Sequence, residues 1–347
     1  MNHNDRRQVI KTEEDLNERL SRPDKLDMEA MSALNGDILI LGAAGKMGPS
    51  LARLAQRAAS DAGSQKRIIA VARFSDPNVA HDLGAWGIET VRCDLLEPGV
   101  LSGLPDAENV IFMAARKFGT TGSEHLTWAM NAYLPGLVAE RFRDSRIVAF
   151  STGNVYSPCS VTQGGAVESS VVAPVGEYAA SALGRERMFA YGSSRWGTRA
   201  AILRLNYAVE LRYGVLLDIA LAVYEKQPVD LRMGLVNVIW QRDANSACLR
   251  SLAHCQSPPL ILNLTGPETL SVRYIAEEFG RRFGTEPVFL GEEASSALLS
   301  NAAQAHRLFG YPTVTPAEMM DWIAHWIQIG GPMLGKATHF QVRDGNF

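Results

Sequence analysis

Short, mostly apolar runs recur along the chain up to residue 206 and alternate with segments of helical composition. The runs are Asp37–Leu41, Arg67–Ala72, Glu89–Arg92, Asn109–Met113, Arg146–Phe150 and Arg199–Leu203, and the clearest helical segments are Ser50–Ala62, Glu124–Arg143 and Gly176–Ser194. Runs of this length without polar interruptions are typical of strands buried on both faces. Buried strands that alternate with helices predict an α/β fold with a doubly wound parallel sheet.

The pattern loosens after Asn206. Helices are predicted at Gly214–Lys226, Val272–Phe283 and Pro316–Ile329, and a strand at Leu260–Leu264. Because strands and helices no longer alternate regularly, we predict a small C-terminal substrate lobe that lies over the mouth of the sheet. The tail after Gly330 has closely spaced glycines and is predicted to be irregular.

A charged segment precedes the first strand. Thr12 is followed by three acidic residues, which is typical of a helix start because a hydroxyl caps the first turn and acids favour the helix dipole. Leu16 and Leu20 form a narrow apolar stripe, so this arm packs on the outside of the protein or contacts a partner subunit. The predicted division of the chain is a charged N-terminal helical arm at 1–35, a sheet domain at 36–206 and mainly a lobe at 207–347, of which 237–265 returns to the sheet domain.

Length and composition limit the class of protein. The 347 residues suffice for about two domains, and 34 basic against 37 acidic residues give a net charge of -3. Proteins that bind nucleic acid through phosphate contacts are usually basic, so this balance counts against them. The four cysteines form no CxxC unit and no zinc spacing, and we predict no metal site.

No segment predicts export or insertion into a membrane. The N-terminal segment lacks the apolar core of a signal peptide, and apolar runs such as Val215–Val223 are far shorter than the roughly 18 residues of a membrane span. We therefore expect a soluble, cytoplasmic protein with neither a membrane nor a nucleic acid as partner.

The most informative segment is the glycine-rich loop that follows the first strand and opens a helix. Gly42 permits a tight turn, Gly45 lets backbone N–H groups approach a pyrophosphate, and Gly48 lets helix and strand pack closely. A structural turn is the alternative. The loop residues predicted to bind a dinucleotide are Gly42, Ala44, Gly45, Lys46, Met47 and Gly48.

The end of the second strand bears on which dinucleotide is bound. Many NAD-binding proteins carry an acid there that holds the ribose 2′-OH. Here the strand ends in Arg73-Phe74-Ser75 without an acid, and Arg73 can pair with a 2′-phosphate, while Lys46 adds positive charge. We predict NADP or NAD, with NADP slightly favoured. Asp94, followed by Leu95, is placed to meet the adenine or to cap the next helix.

These features, with further motifs, resemble the extended short-chain dehydrogenase/reductase family, the NAD(P)-dependent epimerases and dehydratases. The motifs are Ala114-Ala115, Asn131, Phe150–Tyr156, Leu203–Asn206, Asn237–Asp243 and Asn263–Ser271, and the resemblance runs from Asp37 to about Trp326. It implies a Rossmann fold. It also implies that Ala114, Ala115 and Asn131 belong to the cofactor site, to which we assign the adjoining Arg116.

The resemblance also implies a chemistry. In this family a hydride passes between nicotinamide and a carbinol carbon, while a tyrosine moves the hydroxyl proton and a Ser or Thr binds the same oxygen. These positions fall on Tyr178 and Thr152. A lysine one helical turn after the tyrosine normally supplies a positive charge, but Ala182 occupies that position here, so the chain is an atypical member.

Three explanations of the missing lysine stay open. Arg185 or Arg187 supplies the charge from the same helix, since Arg185 lies about two turns beyond the tyrosine. Alternatively, the acid/base lies elsewhere, at Glu177 or at Arg116 with Lys117. In the third explanation the protein binds its cofactor without hydride chemistry, as a redox sensor that resembles NmrA-like proteins.

Candidate substrate residues follow the later strands of the sheet domain. Asn154 and Tyr156 come after the fifth run, Asn206 ends the sixth, and Arg212 is a candidate clamp for a carboxylate or phosphate. The loop 116–118, which ends in Phe118, is a further candidate for an anionic substrate because it follows the carboxyl end of a strand.

The sequence therefore predicts an oxidoreductase of the NAD(P)-dependent epimerase/dehydratase type. Hydride transfer is expected at a sugar, sugar nucleotide or related hydroxyl or carbonyl carbon, with Thr152, Tyr178 and Arg185 as catalytic residues. The alternative is a redox sensor or regulator without turnover. The resemblance also implies a homodimer formed by the helices predicted at Glu124–Arg143 and Tyr178–Ser194.

Overall fold

The computed structural model describes residues 9–117 and 119–345. The first eight residues of the predicted arm, and Phe118 of the predicted anion loop, lie outside the described residues. The strands are β1 (Ile38–Leu41), β2 (Ile68–Ala72), β3 (Glu89–Arg92), β4 (Asn109–Phe112), β5 (Arg146–Thr152), β6 (Cys159–Ser160), β7 (Arg199–Leu205), β8 (Ala208–Val209), β9 (Val229–Asp230), β10 (Leu235–Val236), β11 (Ile239–Trp240), β12 (Leu260–Leu264), β13 (Leu270–Ser271), β14 (Phe289–Leu290) and β15 (Ser296–Ala297).

Helices connect these strands. They are α1 (Glu13–Ser21), α2 (Lys25–Ala33), α3 (Gly48–Asp61), α4 (Pro77–Ala85), α5 (Val100–Gly103), α6 (Glu124–Trp128), α7 (Leu134–Arg141), α8 (Gly176–Trp196), α9 (Val215–Tyr224), α10 (Gln241–Ser251), α11 (Val272–Phe283), α12 (Ala303–Phe309) and α13 (Pro316–Gln328). Short 3₁₀ turns lie at Gly153–Val155 and Leu252–His254.

One sheet organises the molecule. Its seven strands are parallel and run in the order β12-β7-β5-β4-β1-β2-β3 within the described part of the chain. The order reverses between β1 and β4, which gives the doubly wound Rossmann architecture and opens a crevice at the carboxyl ends of the strands. The predicted fold class is confirmed, and β12 adds a strand from beyond residue 206.

Alternation along β1 shows why its apolar run is buried on both faces. Ile38 and Ile40 pack into one hydrophobic layer with the α3 residue Leu51, whereas Leu39 and Leu41 pack into the opposite layer, which includes residues of α7 and α8. Successive side chains of a strand point to opposite faces, so a continuous apolar run is needed where helices cover both.

The helix predicted at Glu124–Arg143 is not one regular helix. A π turn at Ala129–Tyr133 separates α6 from α7. The prediction of one regular helix is therefore wrong in this detail. The pattern of apolar residues could not reveal the π turn, because the segment keeps a helical composition throughout. Such insertions often occur at functional sites, and Asn131 lies within this one.

The lobe has a core of its own. Helices α9, α11 and α13 pack together, and Trp240 meets Trp322 edge to face with ring centroids 5.3 Å apart. The short strands pair within it or against the sheet domain as β9 with β14, β10 with β13, β6 with β15 and β8 with β11. The tail from Gly330 onward carries neither helix nor strand over its described residues.

The charged arm is docked on the molecule. Thr12 and Asp15 form a reciprocal cap at the start of α1, and Leu16 and Leu20 are fully buried in the lobe core. Arg242 of α10 pairs with Asp27 of α2, and both side chains are almost inaccessible. Burial raises the pKa of Asp27 while Arg242 opposes the rise, so the arm is held by apolar contacts and by a buried ion pair.

Removing one partner of this pair is expected to weaken the fold. Asp27→Ala leaves the Arg242 guanidinium buried without its main carboxylate, so the free energy of unfolding should fall by about 3 to 5 kcal/mol. Urea denaturation measures this. Lys25→Ala changes a side chain of the same helix that is 84% exposed and should alter stability by less than about 0.5 kcal/mol; equal losses in the two variants would contradict the assignment.

Candidate active site

The glycine-rich loop joins β1 to α3 in a conformation that glycine alone permits. Gly42 has φ +90°, and a Cβ there would lie 2.5 Å from the backbone nitrogen of Ala114. A Cβ on Gly48 would lie 2.1 Å from the carbonyl oxygen of Ala43. A side chain at either position would therefore move the loop away from the strand ends that it contacts.

A groove of about 490 Å³ opens beside this loop. No side chain caps the start of α3, but the N–H of Gly48 already donates to the carbonyl oxygen of Gly45, and that of Leu51 to Met47. The volume of the groove and its glycine lining fit a dinucleotide. The predicted cofactor residues that line the groove are Gly42, Ala44, Gly45, Arg73, Asp94, Leu95, Ala114 and Ala115.

The adenine end of the groove carries both signs of charge. The Arg73 side chain is 67% exposed, and its Nη1 lies 4.0 Å from Oδ2 of Asp94. Asp94 also accepts a hydrogen bond from the backbone of Leu96, 3.0 Å long. Asp76 lines the same groove but caps α4 by accepting from the backbone of Asn78. Charge at this end therefore does not by itself decide between the two dinucleotides.

Lys46 and Met47 lie away from the groove, against a second cavity. Lys46 Nζ donates to the carbonyl oxygen of Ala208, 2.8 Å away, and stands 4.0 Å from the ring centroid of Tyr213. The positive charge that the sequence predicts from Lys46 therefore lies at β8 and not in the groove beside Arg73. Burial lowers the pKa of Lys46 to about 7.

This second cavity, of about 160 Å³, is called the catalytic cavity below. Thr152 ends β5, and Tyr178 lies in the first turn of α8. The fold brings both side chains to the same small space, beside the loop that begins α3. The predicted residues that line it are Lys46, Met47, Lys117, Thr152, Asn154, Tyr178 and Asn206.

Lys117 lies next to the tyrosine. Its Nζ is 6.0 Å from the ring centroid of Tyr178 and donates to the carbonyl oxygen of Thr338, 3.2 Å away. Burial lowers the pKa of Lys117 to about 8, and the nearby Asp218 opposes this shift. A basic residue from the loop after β4 therefore stands close to the predicted proton carrier.

Arg185 lies beneath the same helix face. It is 3% exposed, and its guanidinium donates to the carbonyl oxygen of Phe150 at 2.7 Å and to Oδ1 of Asn131 at 3.0 Å. Burial lowers the pKa of Arg185, and electrostatic interaction with Tyr178 opposes that shift. Arg187, the other candidate on this helix, is exposed.

Asn131 holds the loop after β4 and does not line the groove. Its side chain is fully buried, accepts from the backbone N–H of Arg116 at 2.9 Å and donates to the carbonyl oxygen of the same residue. The Arg116 guanidinium turns away to the carbonyl oxygen of Gly119. Direct cofactor contact by Asn131 or Arg116 is therefore not supported; Asn131 positions the segment that carries Lys117.

The side chains of two predicted substrate residues, Tyr156 and Arg212, bond to other residues of the protein. The Tyr156 hydroxyl is buried and bonds Asn263 and Arg204, whose guanidinium also pairs with Glu186. Tyr156 is therefore a core residue and not part of the cleft.

Arg212 lies outside the catalytic cavity. Its guanidinium pairs with Glu210 and with Glu13 of the arm. The clamp predicted there is therefore occupied by the chain's own carboxylates.

Glu177, the alternative acid/base, is exposed and accepts from the Trp128 indole. It is therefore directed to the outside of α8.

Sequence reasoning missed several residues of the catalytic cavity. Tyr213 lines it, and burial raises the pKa of Tyr213 to about 12. Asp218 bonds Thr338, and Thr338 lines the cavity although it belongs to the tail. No local pattern marks Thr338, because its partners lie far away in the sequence.

Residues 38–209 match the family model described as NAD dependent epimerase/dehydratase family. Comparison with curated proteins gives no match. Among the described residues, no group of histidine, cysteine, aspartate and glutamate side chains could hold a metal ion, and no helix there is long and apolar enough to cross a membrane.

Solved structures of the same fold include sugar-nucleotide enzymes. A UDP-glucuronic acid 4-epimerase mutant from Bacillus cereus, in complex with a fluorinated UDP-sugar and NAD, is 16% identical, with a TM-score of 0.71 over 84% of this chain and 99% of that chain. The UDP-glucose 4-epimerase of Thermotoga maritima with UDP-glucose is 14% identical, with a TM-score of 0.69 over 84% and 98%. A dTDP-glucose 4,6-dehydratase double mutant from Streptomyces venezuelae with NAD bound is 18% identical, with a TM-score of 0.71 over 84% and 96%.

The surroundings of two glycines predict that substitution by alanine weakens dinucleotide binding at one position and not at the other. Gly48→Ala places a Cβ against the carbonyl of Ala43, so nicotinamide dinucleotide affinity should fall by about tenfold or more, as measured by fluorescence titration. Gly84→Ala is the matched control, because a Cβ on this helical glycine meets nothing within 4 Å. It should leave affinity unchanged and stabilise α4 by up to about 1 kcal/mol. Unchanged affinity in Gly48→Ala would contradict the assignment of the groove.

Proposed function

Because residues 38–209 match the model of the NAD dependent epimerase/dehydratase family, we propose that the protein is an oxidoreductase that oxidises or reduces a hydroxyl-bearing carbon in the catalytic cavity. One observation carries the proposal: Thr152 and Tyr178 line a single cavity beside the glycine-rich loop. A hydroxyl pair next to a dinucleotide groove can bind and deprotonate a substrate alcohol.

The groove residues would hold a nicotinamide dinucleotide. The positive end of the α3 dipole is suited to its pyrophosphate, and Ala114 and Ala115 leave room beside the end of β4. NAD(P) bound there would accept or donate the hydride. Oxidation of an alcohol to a carbonyl releases one hydride and one proton. The dinucleotide would take the hydride, and a side chain of the protein would take the hydroxyl proton.

Tyr178 is the proposed proton carrier, and Thr152 binds the same substrate oxygen. Thr152 Oγ1 accepts a hydrogen bond from the backbone of Asn154, 3.2 Å long. Its hydroxyl hydrogen can therefore be donated to a substrate oxygen. The side chain is only 9% exposed, so the bond would form away from bulk water, where it is stronger.

Two cations supply the positive charge that the missing lysine would give. Ala182 is fully buried in a small apolar cluster, so the usual position carries no ammonium group. Lys117 stands over the Tyr178 ring, and Arg185 interacts with Tyr178 from the core side. Opposite charge close to a phenolate favours that form. Of the three explanations, these contacts support the first, in which Arg185 supplies the charge. Lys117, which the second explanation placed in an acid/base elsewhere, is here a further cation beside Tyr178.

The substrate is proposed to be sugar-derived. The similar structures named above act on UDP-glucuronic acid, UDP-glucose or dTDP-glucose according to their descriptions. Their low identity shows the fold alone, so the substrate of this chain is argued from its own cavity below. A redox sensor without turnover is the second candidate, favoured by Ala182 alone.

A homodimer is proposed through α6 and α8. These helices and the π turn between α6 and α7 carry large apolar side chains that are 41% to 62% exposed, namely Leu126, Trp128, Tyr133 and Tyr191. Exposed aromatic residues on neighbouring helices are typical of protein interfaces.

Loss of one hydroxyl is expected to stop the reaction. Tyr178→Phe removes the proton carrier without changing the shape of the helix, so the rate of nicotinamide oxidation or reduction should fall roughly 10²- to 10⁴-fold while dinucleotide affinity stays the same. Tyr191→Phe removes a hydroxyl from an exposed tyrosine of the same helix and should keep full activity. A Tyr178→Phe enzyme as fast as the unaltered one would exclude this mechanism.

The preference for NADP is tested at Arg73. If its guanidinium binds the 2′-phosphate, Arg73→Ala should weaken NADPH binding by about tenfold or more and NADH binding much less, because a hydrogen bond to a charged group contributes about 1.5 to 3 kcal/mol. Titration calorimetry with both nucleotides measures this. Arg143→Ala changes an exposed arginine outside the groove and is the control. Equal losses for the two nucleotides would show that Arg73 does not bind the 2′-phosphate.

A further inference from the structure

The C-terminal segment 332–345 is fixed across the opening of the crevice. Both the N–H and the hydroxyl of Thr338 donate to Asp218 of α9, at 2.8 and 2.6 Å. Arg343 donates to the backbone and the hydroxyl of Ser296, at 2.9 and 2.6 Å. Phe340, between them, is buried in the lobe core. Three anchors in a short stretch give this segment a defined path.

The same segment contacts two neighbours of Tyr178, namely Lys117 and Gly176. Its Thr338 carbonyl accepts the hydrogen bond from Lys117. Its last described residue, Gly345, packs on Gly176 so closely that a Cβ on Gly176 would lie 2.5 Å from the Gly345 oxygen. Gly176 begins α8, two residues before the tyrosine. The segment is therefore part of the wall around the reacting groups.

The segment limits the size of the catalytic cavity. Thr338 lines this cavity of about 160 Å³, while Ala337 and Phe340 line a separate one of about 410 Å³ beside α9. Sites for drug-sized ligands measure about 300 to 1,000 Å³, and an engineered cavity of about 150 Å³ holds benzene. The space at Thr152 and Tyr178 therefore has the size of a molecule of a few carbon atoms and is much smaller than a whole nucleotide-linked sugar.

The charges of the cavity favour an anion. Lys46 and Lys117 both line it. Burial lowers the pKa of Lys46 to about 7 and that of Lys117 to about 8. Asp218 and Glu210 act electrostatically on these lysines and oppose the fall in their pKa values, whereas their hydrogen bonds are made with Thr338 and Arg212. A carboxylate between the two ammonium groups would restore their charge and replace lost water contacts.

We propose that the catalytic cavity binds a small hydroxy or oxo acid, with its carboxylate at Lys46 and Lys117 and its hydroxyl or carbonyl oxygen at Thr152 and Tyr178. The C-terminal segment keeps nucleotide-linked sugars out. This inference rests on the proposed function, because it places the reacting carbon at Tyr178. It favours a small acid over a nucleotide-linked sugar as the substrate.

Binding by the intact protein is the first test. Titration calorimetry with D-glycerate, L-lactate and L-malate, each with and without NAD, should give a dissociation constant of about 1 mM or below for at least one acid. UDP-glucose and UDP-glucuronic acid should not bind. Binding of a UDP-sugar, or of none of the three acids, would overturn the proposal.

The lysines are tested by substitution. Lys46→Gln and Lys117→Gln should each weaken binding of the acid by about tenfold or more, because each removes one charged partner. Lys25→Gln, at an exposed lysine of the arm, should have no effect. Thermal unfolding of each variant establishes that it is folded. Unchanged affinity in both folded variants would contradict the placement of the carboxylate.

The C-terminal segment is tested by releasing one anchor. Arg343→Ala removes the bonds to Ser296 and should allow UDP-glucuronic acid to bind measurably. Arg273→Ala, which removes an exposed pair of the same lobe with Glu293, should not. If the two variants behave alike, the segment does not set the size limit.

The outcomes separate this inference from the proposed function. If an acid binds but the intact protein neither oxidises nor reduces it with NAD or NADP, the proposed oxidoreductase is wrong and the binding site stands. If the intact protein turns over a UDP-sugar, the oxidoreductase stands and the small-acid inference is wrong. Tyr178→Phe should still bind the acid through the two lysines and Thr152 but should not turn it over, so that binding and reaction are measured separately.

Discussion

The close approach of the glycine-rich loop to the strand ends is the constraint on which both cavities depend. Gly42 faces the backbone of Ala114 across a distance that leaves no room for a Cβ, and Gly48 faces Ala43 in the same way. The loop therefore lies flat on the carboxyl edge of the sheet. On one side it borders the dinucleotide groove, and on the other it sends Lys46 toward Thr152 and Tyr178. One backbone conformation thus places the groove and the catalytic cavity on either side of the same loop.

The positive charge near Tyr178 comes from residues other than the one at position 182, where the family usually has a lysine. Ala182 packs in an apolar cluster, while Lys117 reaches Tyr178 from the loop after β4 and Arg185 from the core. Asn131 connects the two cations, because it binds the backbone of the loop that carries Lys117 and also accepts from Arg185. The π turn containing Asn131 brings these contacts together.

The sheet and the glycine-rich loop could be predicted from sequence because their signals are local. An apolar run such as Asp37–Leu41 followed by spaced glycines specifies a strand and a turn within a dozen residues. The site could be predicted only in part. Thr152 and Tyr178 were identified through a family resemblance, whereas the direction of Lys46 and the place of Thr338 depend on contacts with distant segments. The burial of Tyr156 depends on Arg204 and Asn263 in the same way.

The proposed reaction requires the groove to bind a nicotinamide dinucleotide beside the hydroxyl pair of Thr152 and Tyr178. Calorimetric titration of the intact protein with NAD, NADH, NADP and NADPH measures this binding. We expect saturable binding of at least one oxidised and reduced pair, with one nucleotide per chain. If none of the four binds, the glycine-rich loop is a structural turn or serves another ligand, and the oxidoreductase assignment falls.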